Sequence, residues 1–221
     1  MPRKDTFTLK NLFECENLYS LITGFVLLGI AFVCEHFANV YELAYSIRPT
    51  SIYVGDLLLD NLPVINLSFV IIEGALVSII VGVIFLFLNP KHILFTLKAL
   101  ALFIAVRALF TSLTHVGIYP GNINPGVGIF DGIYMYLNLQ TGFFFSGHTG
   151  MPFLAALIFW KKPRARKIFL SLSFIFAVAV LFTHNHYSID VLAAPFMAYG
   201  IFEIAKYFFR RDYELIKSAH V

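Results

Sequence analysis

Long apolar runs separated by short polar turns dominate the chain. Six can be marked, at about Leu18–Ala38, Ile65–Leu88, Ile93–Leu113, His148–Trp160, Ile168–Phe182 and Ile189–Phe209. A helix needs about 20 apolar residues to cross about 30 Å of hydrocarbon, and five of the runs come near that length. The fourth is short, which predicts a span that is tilted or begun within the preceding loop. Hydrocarbon offers the backbone no hydrogen-bond partners, so each run is predicted to be a helix that satisfies its own amides. The expected fold class is therefore all-α, a polytopic membrane bundle of six transmembrane helices. Residues 1–17 read as an N-terminal segment, 18–209 as the transmembrane domain and 210–221 as a C-terminal tail. The run from Leu18 is too long for the apolar core of a signal peptide and lacks a small-x-small cleavage site, so it reads as a retained span.

Composition supports a bilayer as solvent. The apolar fraction is 59 % and the charged fraction 13 %, against about 45–50 % and about 25 % in soluble domains. The net charge of +3 does not point to nucleic acid, because the basic residues sit in short clusters between apolar runs. Arg3, Lys4 and Lys10 precede the first run, and Lys91 and Lys98 flank the turn between the second and third. Lys161, Lys162, Arg164, Arg166 and Lys167 fill the next turn on that side, and Lys206, Arg210, Arg211 and Lys217 close the chain. Fourteen of the sixteen Lys and Arg thus fall on one side of the predicted membrane. The positive-inside rule makes that side cytoplasmic, with both termini there. Cys15 precedes the first run and Cys34 lies inside it, a placement that does not suggest a disulfide.

The other side then holds two long loops, about 39–64 and 115–147, and the tight turn Thr183–Ser188. The second loop has no Lys or Arg and is rich in Gly, Pro, Asn and Tyr. It reads either as a lid or binding element or as an interfacial loop with aromatic anchors.

Two histidine-bearing segments come to the same depth on this face. His148 opens the fourth run, and His186 enters the sixth with Asp190 four residues later. On a helix those two positions face the same way, so Asp190 can hold one ring nitrogen of His186 and fix its tautomer. The other nitrogen is then directed outward as a base or nucleophile. His148, on a separate helix, can serve as general acid or base at the same centre. Ser146 and Gly147 begin the fourth helix, whose free amides and dipole attract an anion. Glu73 and Arg107 each lie about seven residues inside their spans, roughly 10 Å deep at 1.5 Å per residue. Arg107 can clamp a phosphate with two parallel hydrogen bonds, or it can simply pair with Glu73. Glu35 and His36 stand at the same end of the first run. A zinc site from His148, His184, His186 and Asp190 competes as a reading, but His184 and His186 are two apart on a turn and no HExxH spacing occurs. No metal and no cofactor are assigned.

Ser146-Gly147-His148-Thr149 and His186-Tyr187-Ser188-Ile189-Asp190 resemble the two catalytic motifs of the sphingomyelin synthase family, within the type 2 phosphatidic acid phosphatase superfamily. The six-span layout, with motifs opening spans four and six, is similar too. The resemblance implies His186 as a nucleophile that forms a phosphohistidine, Asp190 as its orienting group and His148 as the proton donor and acceptor. It implies Arg107, Ser146, Gly147, Thr149 and Tyr187 as substrate-binding residues. Water as acceptor would make a phosphatase; a lipid alcohol such as ceramide or diacylglycerol would make a head-group transferase. The sequence departs from the wider superfamily in two places. The Lys-x6-Arg-Pro motif is replaced by Lys98, Arg107 and Ala108 at another spacing. Ala179-Val180 stands where Ser-Arg is expected ahead of the histidine, a change that resembles the synthase branch. The arginine-rich motif of that branch is matched only by Arg107 with Leu113 and Thr114.

The expected partners are a membrane lipid substrate and the bilayer, with no nucleic acid. The site is expected on a periplasmic, extracellular or lumenal face. A transporter would call for inverted repeats or broken helices, and neither is seen. A non-catalytic scaffold that keeps the motifs stays open as the other reading.

Overall fold

The computed structural model describes residues 7–46, 48, 50–113, 115–123 and 144–217. Arg3 and Lys4, Thr114, the greater part of the second long loop (124–143) and residues 218–221 lie outside the described residues. All regular structure among the described residues is helical. The main elements are α1 Cys15–Ser46, α2 Ser68–Leu88, α3 Ile93–Leu113, α4 Gly147–Ile158, α5 Pro163–Phe182, α6 Ser188–Phe208 and α7 Arg210–Lys217. Short 3-10 turns cover Leu9–Phe13 and Pro90–His92.

Punctuation in the sequence explains most boundaries. Asn89-Pro90 ends α2, because proline has no N–H to continue the ladder. Pro163 starts α5 at the first turn, where its missing N–H costs nothing. Among the described residues, five helical segments are long and apolar enough to cross a membrane: α1, α2, α3 with the turn before it, α5 and α6. The fourth helix has 12 residues, about 18 Å at 1.5 Å per residue, and so covers little more than half the hydrocarbon. Large side chains remain exposed along the long helices, among them Phe25, Phe37, Ile79, Phe87, Phe174 and Phe196. A soluble surface would not carry so many.

One boundary corrects the reading of the sequence. The first long loop was expected from residue 39, yet α1 continues to Ser46. Its buried face turns polar there, with Glu35, Asn39, Glu42 and Ser46 all inside the bundle. An apolar-run criterion stops at Ala38 although the helical hydrogen bonding does not.

α1 packs along α3, and α4 lies between α5 and α6. Phe95, Phe103, Phe145, Phe159 and Phe169 form the heart of the core. At the basic end, Lys98 Nζ meets Asp212 Oδ2 at 2.6 Å and Ser20 Oγ at 2.8 Å. Ser20 Oγ in turn donates to Asp212 Oδ1 at 2.8 Å. Lys91 Nζ reaches the Ile216 carbonyl at 3.2 Å, and the His92 ring stacks on Phe159 at 4.7 Å. The expected tail is therefore partly a helix, α7, docked onto the base of the bundle. The two histidine motifs stand at the opposite end.

Candidate active site

The turn that carries His186 is built by the end of α5. His184 adopts φ 54°, in the left-handed region that histidine visits more readily than most non-glycine residues. Its N–H donates to Leu181 O at 3.1 Å, and the Asn185 N–H donates to Val180 O at 3.0 Å. That pair of bonds is a Schellman motif, which closes the helix and reverses the chain within three residues. Ala179 and Val180, the residues in place of Ser-Arg, are fully buried against Ile71 and Val191.

α6 then opens with its own carboxylate in place. Asp190 Oδ2 accepts the Tyr187 N–H at 3.0 Å, which is half of a capping box. The same oxygen lies 3.5 Å from His186 Nδ1. The i,i+4 pair expected from the sequence is thus formed, and both side chains are buried. Ser146 is the N-cap of α4: its hydroxyl accepts the Thr149 N–H at 3.4 Å. Its own N–H donates to Asp190 O at 3.0 Å, so the two motifs are joined directly. His148, half-buried, sits in the first turn of α4 with its ring 6.0 Å from Phe176. His186 and Arg107 both lie within electrostatic reach of His148, and Arg107 is also within reach of Asp190.

Arg107 comes from α3 and is buried. Its Nε donates to Phe145 O at 3.1 Å, and its Nη1 forms an ion pair with Glu35 Oε1. The alternative pairing with Glu73 is not the one formed; Glu73 Oε2 is buried with no hydrogen-bond partner among the described residues. A Cβ on Gly147 would stand 3.4 Å from Arg107 Nε, so the guanidinium lies against the bare backbone of the first motif. His36, by contrast, is exposed and packs on Phe37. The His184 ring packs against Tyr119, with its Nδ1 3.4 Å from Pro120 O.

Of the residues expected to bind substrate, Arg107 lies against Gly147, and Thr149 follows His148 in the first turn of α4. Thr149 Oγ1 is buried with no hydrogen-bond partner among the described residues. Ser146 has become a cap and a link. Tyr187 has a local task, since its hydroxyl donates to Gly117 O at 2.7 Å and accepts the Val54 N–H at 3.3 Å. These bonds bring both outer loops onto the His186 turn. The loops also touch each other, Gly117 N–H to Ile52 O at 3.1 Å. A Cβ on Gly117 would come within 2.9 Å of Ile52 and Tyr53 backbone, so the approach needs glycine.

Asp56 was not read from the sequence. Its Oδ2 accepts the Ser188 N–H at 2.7 Å, and its Oδ1 accepts those of Leu58 and Leu59 at 2.9 and 3.2 Å. Burial pushes its carboxyl up, but these hydrogen bonds outweigh burial and hold it below the ordinary carboxylate value. The signal available was Gly55-Asp56 before Leu58-Leu59, the composition of an Asx turn. Nearby, Tyr119 donates to Asp60, a bond that together with burial pushes its ionisation up to about 12. A cleft of about 320 Å³ opens between Val54–Leu57, Val116, Phe144 and the start of α6 at Tyr187–Asp190.

Residues 141–207 match the family model described as PAP2 superfamily C-terminal. The match takes in α4, α5 and all but the last residue of α6, with His148, His186 and Asp190, and supports membership of the PAP2 superfamily. No curated protein and no solved structure matches the chain.

Proposed function

We propose that this chain is an integral membrane lipid phosphatase or phosphotransferase, similar to the sphingomyelin synthases, acting on a phospholipid head group through a phosphohistidine intermediate. The observation that carries the reading is His186 with Asp190 on its Nδ1 side, and His148 in electrostatic reach of both His186 and Arg107. In the first step Nε2 of His186, across the ring from Asp190, attacks phosphorus. The phosphorus–oxygen bond to the lipid breaks, and the departing oxygen takes a proton from His148. In the second step His148 removes a proton from the acceptor, water or a lipid alcohol, as its oxygen attacks the phosphohistidine. The phosphorus–nitrogen bond breaks and its electron pair returns to Nε2. Arg107 and the first amides of α4 bear the charge on the phosphoryl oxygens. The site faces away from the cytoplasm in this reading, since the basic clusters mark the other end.

The test is purified protein in mixed lipid micelles with labelled phosphatidic acid or phosphatidylcholine, with and without ceramide, beside His186→Ala. Phosphate released from phosphatidic acid and lost in the variant marks a phosphatase. A choline-bearing product that needs ceramide marks a synthase. Turnover that His186→Ala leaves intact would remove the nucleophile from the mechanism.

A further inference from the structure

The first backbone amides of α6, among them those of Tyr187 and Ser188, have no acceptor in its own ladder. Each of these two has its own carboxylate: Asp190 Oδ2 for Tyr187 at 3.0 Å and Asp56 Oδ2 for Ser188 at 2.7 Å. The first comes from within the helix, the second from the outer loop more than 130 residues away in sequence. Asp56 is only 6 % exposed. A carboxylate so enclosed is costly unless hydrogen-bonded, and three N–H groups converge on this one.

The division matters because Asp190 is shared. Its Oδ2 already serves both the Tyr187 amide and His186 Nδ1, and the second contact is the longer, at 3.5 Å. Were the Ser188 amide left without an acceptor, Asp190 would be the carboxylate nearest to it in the chain. Turning Asp190 towards that amide takes it from His186.

We propose that Asp56 is a positioning residue for the nucleophile: by capping α6 from the outer loop it leaves Asp190 to hold His186. This rests on the phosphohistidine reading. Asp56 touches no reacting atom. Its effect passes through Ser188 and Asp190 to the His186 ring, and the loop that carries it is fixed to the same turn by Tyr187. Asp56, Tyr187 and Asp190 all line the same cleft.

The test compares wild type, Asp56→Ala, Asp56→Asn and Tyr119→Phe, with rates expressed per folded molecule. Vanadate, a tetrahedral phosphate mimic, gives a binding readout that needs no turnover. Asp56→Ala is expected to lower kcat by roughly ten-fold or more, since small misplacements of a reacting group reach about a hundred-fold. KM should stay within about two-fold, and vanadate should bind about ten-fold more weakly. Asp56→Asn keeps an oxygen for the Ser188 amide and is expected to recover part of kcat. Tyr119→Phe breaks the bond to Asp60 in the same loop without touching the cap, and is expected to lose stability but not kcat. Unchanged kcat and vanadate affinity in folded Asp56→Ala, beside an active wild type, would overturn the positioning role alone. A wild type that neither turns over lipid nor binds vanadate would overturn the phosphohistidine reading and this inference with it. Equal losses in Asp56→Ala and Tyr119→Phe would reduce Asp56 to general support of the loop, and would also overturn it.

Discussion

Gly150, in the first turns of α4, is where packing and chemistry are most tightly coupled. A Cβ there would stand 2.7 Å from Phe103 Cζ and 3.0 Å from Cε2, against 3.4 Å for ordinary contact. The ring would have to retreat by about 0.7 Å, the difference of those two distances. Phe103 is fully buried and meets Phe145 edge-on at 5.3 Å. Phe145 is equally buried, and its carbonyl holds Arg107 Nε at 3.1 Å. Overpacking of this kind costs about 1–3 kcal/mol, while replacing a helical glycine by alanine gains at most about 1 kcal/mol. Gly150→Ala alone should therefore destabilise by a net of roughly 0–3 kcal/mol. The decisive quantity is the coupling. With Phe103→Leu the ring edge is gone, and Gly150→Ala should become neutral or stabilising, a coupling of about 1–3 kcal/mol between the two sites. Turnover per folded molecule should fall in Gly150→Ala, because Phe145 and Arg107 move together, and recover in the double variant. Reversible unfolding by SDS titration in mixed micelles gives the four stabilities. Additivity within about 0.5 kcal/mol would refute the argument.

Three further outcomes follow from the buried charges. Glu35→Ala strands Arg107 in the bundle and should cost about 3–5 kcal/mol; Glu35→Gln should cost less and lower the vanadate inhibition constant several-fold, because Arg107 then lacks a competing anion. Lys98→Met and Asp212→Leu should each cost about 3–5 kcal/mol, yet the double variant should unfold close to wild type, since each single change leaves the other charge buried and unpaired. In the folded chain the Asp56 carboxyl lies below the ordinary carboxylate value of 3.8. Its contribution to stability is therefore full above about that pH and is lost as pH falls through the depressed folded value. The stability gap between wild type and Asp56→Asn, followed by acid unfolding, should shrink on going below pH 4 and not on going above it.

The sequence made α3 and α6 legible almost to the residue, because each is a single apolar run of about the length of its helix. It also placed His186, Asp190 and His148, whose spacing and motifs are local. What it hid are interactions set by the packing of distant segments. Arg107 and Glu73 lie at matching depth, and depth alone suggested a pair. The packing of α1 along α3 brings Glu35 to Arg107 instead. The cap from Asp56 joins residues 132 apart, and no periodicity carries such information. Lys98 shows the same limit: it stands nine residues before Arg107, about 13 Å along the helix. It closes onto Ser20 and Asp212 at the base, so it serves the anchoring of α7 rather than a phosphate.

The charges around His148 and His186 constrain how the proposed reaction can begin. Arg107 is matched by Glu35, Asp190 stands beside His186 and Asp56 caps the same turn, so with both imidazoles neutral the site carries an excess of negative charge. A phosphate ester adds at least one more negative charge. In a water-poor site such an excess is costly. The general acid must therefore take up its proton together with the substrate, drawn by the same phosphoryl charge that it later helps to release. This couples binding to protonation: alkaline conditions should raise KM before they lower kcat, because unprotonated His148 forfeits the anion as well as the proton. Glu35→Gln removes one negative charge and should relieve that dependence, moving the alkaline rise in KM to higher pH. An alkaline limb that appears in kcat alone, and is the same in Glu35→Gln, would mean that the proton is in place before the lipid arrives.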